Sequence, residues 1–297
     1  MSTVPTTLAP AYPRTLGYLS LTKPDVTFLV VITTWAGYYM GATGPINWLH
    51  LAHALLGTTM IGAGTSALNH YFERRSDAQM RRTANRPLPT GVLRPAEALA
   101  FGVLLAAGGA AYLALAVNWL TSALGVITCV SYLGAYTPLK KRTTLATFIG
   151  AFPGAVPPLM GWAAARGSLS VEAWILYAIL FIWQFPHFLA IAWMYREDYA
   201  RAGIRMLPVV DHAGDATFRQ ILAYSAALIP ASLLPAVSGM AGIAYFYLAL
   251  LMGVAMMQVS LWATRTRTNQ RAKWLMHATV IYIPLLLGLL MWHKIPR

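Results

Sequence analysis

Long apolar stretches recur along the whole chain, near 26–43, 49–70, 96–117, 119–138, 144–163, 172–195, 220–239, 242–263 and 274–293. Each has roughly the 20 residues that an α-helix needs to cross a bilayer, and no tract between them is long enough to form a separate soluble domain. With 58% hydrophobic and 10% charged side chains in 297 residues, a water-soluble globule would lack the polar surface to stay dissolved. The expectation is an all-α, polytopic membrane protein of about nine transmembrane helices. One membrane domain covers residues 21–297, and a Pro- and Thr-rich tail, residues 1–20, is expected to be disordered.

Charge gives this bundle a direction. With the N-terminus inside, the inside segments hold 19 of the 22 Lys and Arg residues, leaving only Arg166, Lys294 and Arg297 outside. That asymmetry predicts a cytoplasmic N-terminus and an outside C-terminus. The formal charge of +13 then describes one membrane face and does not point to nucleic acid, because no soluble basic domain carries it. The first apolar stretch follows Lys23-Pro24-Asp25 without a small-residue cleavage site, and the tail lacks the pattern of an organelle presequence. A prokaryotic cytoplasmic (inner) membrane is therefore expected. The single Cys129 excludes intrachain disulfides and thiolate metal clusters.

Of the nine carboxylates, all but Glu172 sit at inside ends of spans or in inside loops. Asn69, Glu73 and Asp77 stand out, recurring at i, i+4 and i+8 as the second span leaves the membrane. On a continuing helix they share one face, drifting by roughly 40° per step and covering about 12 Å. Three hard oxygen donors in a row suit Mg²⁺, which takes one or two carboxylates, waters and substrate phosphates. They also suit a solvated face with i,i+4 ion pairs, and spacing alone does not choose. The arginines that follow, Arg81, Arg82 and Arg86, favour the first reading, because a diphosphate requires both a metal and cations for its oxygens.

Five strings together resemble the UbiA-type intramembrane prenyltransferases, and among them the branch that farnesylates protohaem: NHYFERRSDAQMRRTANRPLP at 69–89, YTPLKKRT at 136–143, PGAVPPLMGW at 153–162, WQFPHF at 183–188 and DYARAGIRMLP at 198–208. The first marks the superfamily and the last three the haem branch. The resemblance runs from Lys23 to about Pro208, with later spans similar mainly in hydropathy. It implies a prenyltransferase domain whose helices surround a central cavity open to the cytoplasmic face. The reaction it implies is farnesyl transfer from farnesyl diphosphate to a vinyl group of protohaem IX, with water addition, giving haem O. Haem is then substrate, Mg²⁺ the cofactor, and haem A synthase or a terminal oxidase the implied destination of the product.

Carried onto this sequence, the resemblance assigns Asn69, Glu73, Asp77 and Asp198 to the metal and catalysis. Lys23, Arg82, Arg86, Tyr136, Lys140, Arg142, Trp183 and His187 are assigned to substrate, with Lys140 and Arg142 on either diphosphate or haem propionates. The sequence departs from the superfamily at the second D-x-x-x-D motif, since Asp198 has Met194 and Ala202 four residues to either side. Asp211 and Asp215 have that spacing but follow Pro208, and Asp215 reads as a helix N-cap or loop acid. His187 lies within a span, where a polar ring is a functional hypothesis, though it could also bond a carbonyl freed by Pro186. His70 is the second candidate for haem contact. The prolines and glycines of 150–161 break the fifth span, either for packing or to line a porphyrin pocket.

Three other readings stay open. A prenyltransferase for an aromatic acid or quinone precursor should carry the full second acidic motif. A secondary transporter would place its ionisable groups near mid-membrane. A haem-binding assembly protein would leave the acid stripe unused.

Overall fold

The structure, a computed structural model, describes residues 13–296. Residues 1–12 of the expected tail lie outside the described residues. The rest of that tail corrects the expectation, because Arg14–Leu21 form a helix, α1. Its apolar positions share a face: Leu21 is buried with Leu93, Tyr18 meets Phe101 edge-on at 5.1 Å, and Arg14 pairs with Glu97 at 2.6 Å. The compositional bias that suggested disorder stops at Pro13, and a two-turn amphipathic segment is too short to announce itself by periodicity.

The chain continues through α2 (Pro24–Gly41), α3 (Trp48–Asp77), α4 (Pro95–Ala116), α5 (Trp119–Leu139), α6 (Ala146–Arg166) and α7 (Val171–Met194). Two short helices follow, α8 (Arg196–Arg201) and α9 (Leu207–Val210), then α10 (Asp215–Val237), α11 (Ile243–Thr266) and α12 (Asn269–Trp292). The described residues form no β-strand, only an isolated bridge between Ala241 and Lys294.

Nine spans were expected, and seven of these helices, α4 to α7 and α10 to α12, are long and apolar enough to cross a membrane. The two other long helices, α2 and α3, turn their polar residues inward. Thr33, Thr34, Thr58 and Thr65 are buried on them, as are Asn69, His70, Glu73 and Asp77. Three of the threonines satisfy their hydroxyls on a carbonyl one turn back, at 2.8 to 2.9 Å. The bundle surface is correspondingly apolar, with Leu104, Leu115, Leu251 and Trp119 exposed. Lipid solvates such a surface, while most of the polar groups are paired inside.

The break in the fifth span is present. Helix α6 divides between Gly154 and Pro157, as the missing proline N–H demands. Its glycines, however, serve contacts between helices. A Cβ on Gly150 would strike the Tyr136 ring, one on Gly154 the Gln184 amide, and one on Gly161 the backbone carbonyl of Thr34 in α2. Gly37 of α2 is pressed in the same way against the Pro158 carbonyl. The packing reading therefore accounts for these glycines, and the expected role of the span as a porphyrin wall does not rest on them.

Helix α5 carries a π turn over Tyr132–Tyr136. Such turns insert one residue into the helical register and are frequent at functional sites.

Candidate active site

Helix α3 runs unbroken to Asp77, so the spacing argument holds and Asn69, Glu73 and Asp77 do share a face. All three are buried, at 1%, 6% and 0% exposure. Charges that deep are tolerated only when paired, and each meets a cation from a different part of the chain. Lys23 Nζ donates to Asn69 Oδ1 at 2.8 Å, and Asn69 Nδ2 donates to Glu73 Oε1 at 2.6 Å. Lys140, buried at the end of α5, forms an ion pair with the same Glu73 oxygen. Arg86 Nη1 donates to both oxygens of Asp77 at 2.9 Å.

Backbone geometry aims these cations. Lys23 occupies the left-handed region at φ 47°, a strained conformation for a residue with a Cβ, immediately before Pro24 opens α2. Desolvation, with Arg86 adding to it, pushes the Lys23 ammonium down to about 8. Thr83 donates to the Asp77 carbonyl at 2.8 Å, folding the 78–94 loop back so that Arg86 faces the stripe. The carbonyl of Lys140 accepts from the Arg205 N–H at 2.8 Å. Met80, Ala146, Ala192, Ala202, Ile204 and Met206 form a small core beneath these loops, which explains why the strings at 69–89, 136–143 and 198–208 belong together.

Asp198 is tied to the 78–94 loop that follows the stripe. It is 8% exposed, pairs with Arg201 and accepts the Arg82 backbone N–H at 3.2 Å. The Arg82 guanidinium lies over the Tyr195 ring at 4.8 Å, a cation–π contact. Arg81, Arg82, Met194, Tyr195, Glu197 and Asp198 line a cleft of about 420 Å³ between the two loops.

Two tyrosines were not anticipated. Tyr132 packs on Tyr136 with ring centroids 5.0 Å apart, Lys140 Nζ lies 5.8 Å from the centre of the Tyr136 ring, and Tyr199 packs with Tyr136 against the small core beneath the loops. The π turn puts the first two side by side. Tyr199 directly follows Asp198, the one signal that could have found it.

Other expected site residues lie elsewhere. Arg142 is exposed on the charged face and has no part in the Glu73 cluster. Trp183 and His187 occupy the seam between α7 and α12. The Trp183 indole donates to the Thr279 carbonyl at 2.7 Å, and His187 Nδ1 hydrogen-bonds the Thr279 hydroxyl at 2.8 Å. The two rings stack at 5.1 Å. His187 lies about two turns before the end of α7 at Met194, whereas Asp198 lies beyond that end on α8.

Neither member of the 211/215 pair joins the site. Asp215 is the first residue of α10 rather than its N-cap, and it pairs with Arg267 at 2.5 Å. Asp211 does the capping, accepting from the Thr217 N–H at 2.7 Å and its hydroxyl at 2.8 Å. Desolvation opposes the Asp211 charge, but these hydrogen bonds hold its carboxyl below the ordinary carboxylate range. A depressed carboxylate stabilises the fold above its unfolded pKa of about 4, and that contribution is lost as the pH falls through the lower folded value. Asp211→Ala is expected to cost about 1 kcal/mol at pH 7. In thermal unfolding, the gap to the parent should shrink below pH 4.

Four hard-oxygen side chains, Asn69, Glu73, Asp77 and Asp198, are thus gathered at one end of the bundle with Lys23, Arg82, Arg86 and Lys140 around them. Among the described residues no group of three or more acids, histidines or cysteines could hold a metal on its own. The donor set fits a hard cation that brings further oxygens with it, as a metal bound to a diphosphate does.

The UbiA prenyltransferase family matches residues 30–290 of this chain. Protoheme IX farnesyltransferase from Solibacter usitatus is 49% identical over 283 residues, spanning 92% of this chain and 97% of the relative. The fold is shared with solved structures at much lower identity. A digeranylgeranylglyceryl phosphate synthase superposes with a TM-score of 0.77 at 18% identity, over 94% of this chain and 98% of the other. A UbiA homologue from Archaeoglobus fulgidus, bound to DMAPP and Mg²⁺, gives 0.67 at 17%, over 92% and 98%.

Proposed function

The chain belongs to the UbiA prenyltransferase family, and from that premise we propose that it transfers a farnesyl group from farnesyl diphosphate to a vinyl group of protohaem IX, giving haem O after addition of water. The observation that carries the reading is the pairing of each buried oxygen donor of α3 with its own cation, drawn from the 22–24 corner, the 78–94 loop and the end of α5. Such a set neutralises itself when empty and can be shared out between a metal and a diphosphate when full.

Glu73, Asp77 and Asp198, with the Asn69 amide oxygen, would hold Mg²⁺. Bound there, Mg²⁺ would supply positive charge to the leaving diphosphate. The chain's own groups do the rest. Lys23, Arg82, Arg86 and Lys140 donate to phosphate oxygens and stabilise the charge that grows as the carbon–oxygen bond ionises. Tyr136 and Tyr132, one and two turns deeper than Lys140, line the first stretch of the farnesyl path and keep bulk water from the allylic carbon. The haem vinyl carbon attacks that carbon, and water captures the cation left beside the porphyrin. No protein nucleophile takes part, so catalysis rests on leaving-group electrostatics and orientation.

The bilayer follows from the substrates, since a farnesyl chain and a porphyrin partition into lipid while their charged groups stay at its surface. The reading places the site at the cytoplasmic face of a prokaryotic inner membrane, with the N-terminus on that side. The test is to incubate membranes holding the protein with protohaem, labelled farnesyl diphosphate and Mg²⁺, and to weigh the extracted haem. A hydroxyethylfarnesyl haem, abolished by EDTA and restored by Mg²⁺, is expected. Transfer to an aromatic acid in its place would reject the assignment.

A further inference from the structure

His70 is 2% exposed, and neither of its ring nitrogens has a hydrogen-bond partner. The other span histidines with a recorded partner each reach a hydroxyl: His50 that of Tyr38, His53 that of Tyr112, His187 that of Thr279. Leaving a buried imidazole N–H unpaired is unfavourable, and such a group calls for an explanation. Its position supplies one. His70 follows Asn69 on α3 and stands about two turns before Asp77 on the same side of the helix, so its neighbours on the stripe are the side chains that Lys23 and Arg86 hold.

That neighbourhood selects the partner. An imidazole is a poor ligand for a hard ion such as Mg²⁺, which takes oxygen donors, and Lys23 and Arg86 disfavour a further cation as the missing group. In either protonation state the imidazole carries at least one ring N–H to donate. A ligand that satisfies the N–H and is drawn in by Lys23 and Arg86 together must be an anion with several oxygens. Resting on the prenyltransferase reading above, we propose that His70 is a diphosphate-binding residue. Its ring N–H donates to an oxygen of the prenyl diphosphate held between Lys23 and Arg86. Haem contact, the role the sequence suggested for it, is the competing assignment.

The full-length protein in nanodiscs tests this with Mg²⁺-pyrophosphate as the probe. His70→Leu is expected to weaken pyrophosphate binding about tenfold, the size of one lost hydrogen bond to a charged group. His70→Asn, which keeps an N–H donor, should recover to within about threefold. Without ligand, the thermal midpoint of His70→Leu should equal or exceed that of the parent, since an unpaired polar ring has been removed. The Soret titration with ferric protohaem should be unchanged. Unchanged pyrophosphate affinity with a lowered midpoint would show a structural, water-bridged histidine and overturn the proposal. Loss of the parent's Soret shift in both variants would make His70 a haem ligand and overturn it equally. A parent that neither binds pyrophosphate nor converts protohaem would remove the function reading and this inference together. A parent that does both, beside an indistinguishable His70→Leu, removes the inference alone.

Discussion

Asp77→Ala is expected to reach the membrane in normal amount and to turn over protohaem about 10³-fold or more slowly, measured as farnesylated haem per unit of inserted protein. Removing one preorganised charge from a site that works by electrostatics costs at least two to three orders of magnitude, roughly. Asp77 pairs with Arg86 and, in the proposed mechanism, would also hold the metal. At 0% exposure its carboxylate is, among the described residues, the hydrogen-bond acceptor of the Arg86 side chain, so the alanine variant also leaves a cation unpaired and loses about 3–5 kcal/mol of stability. Asp77→Asn separates the two effects. It keeps an oxygen for Arg86 and restores much of the stability, yet it should remain nearly inactive. If Asp77→Asn converts protohaem at close to the parental rate, the acid stripe is not the catalytic centre.

Gly161→Val should destabilise the fold without touching the candidate site. The new side chain meets the Thr34 carbonyl and, close by, the Tyr38 amide, and helical backbone cannot rotate aside as a side chain can. Overpacking of this kind costs about 3 kcal/mol at the upper end of its usual range, so a drop of roughly 5–10 °C in the midpoint in detergent is expected. Leu104→Ala, on the exposed face of α4, is the control and should leave the midpoint within about 2 °C. Equal behaviour of the two variants would mean that α2 and α6 do not pack as described.

The acid stripe was legible because its signal is local. Spacing of four along one continuous helix puts Asn69, Glu73 and Asp77 on a face whatever the rest of the chain does. Arg86 could be anticipated for the same reason, nine residues on in a loop that must turn back. The fold class was legible from apolar length alone, but α2 and α3 show the limit of that measure, since a helix enclosed by others can afford the polar residues that lower its hydropathy.

What stayed hidden depends on tertiary contacts. Trp183 and His187 sit in a span whose composition is apolar on every side, so nothing in the string WQFPHF tells which neighbour each ring will meet. Tyr132 entered the site through a π turn, a change of winding that no residue type announces. The capping role expected of Asp215 fell to Asp211, because the residue that caps α10 is set by where the preceding turn at Gly214 releases the chain, at φ 80°.

The internal ion pairs bear on how the enzyme finishes its cycle. Arg86 and Lys140 each have a carboxylate waiting, at Asp77 and Glu73, so a departing diphosphate competes with partners that never leave. Those carboxylates lower the cost of letting the anion go, as a counterion does on an exchange resin. In the proposed cycle, a strongly basic face thereby releases its product instead of holding it as an inhibitor.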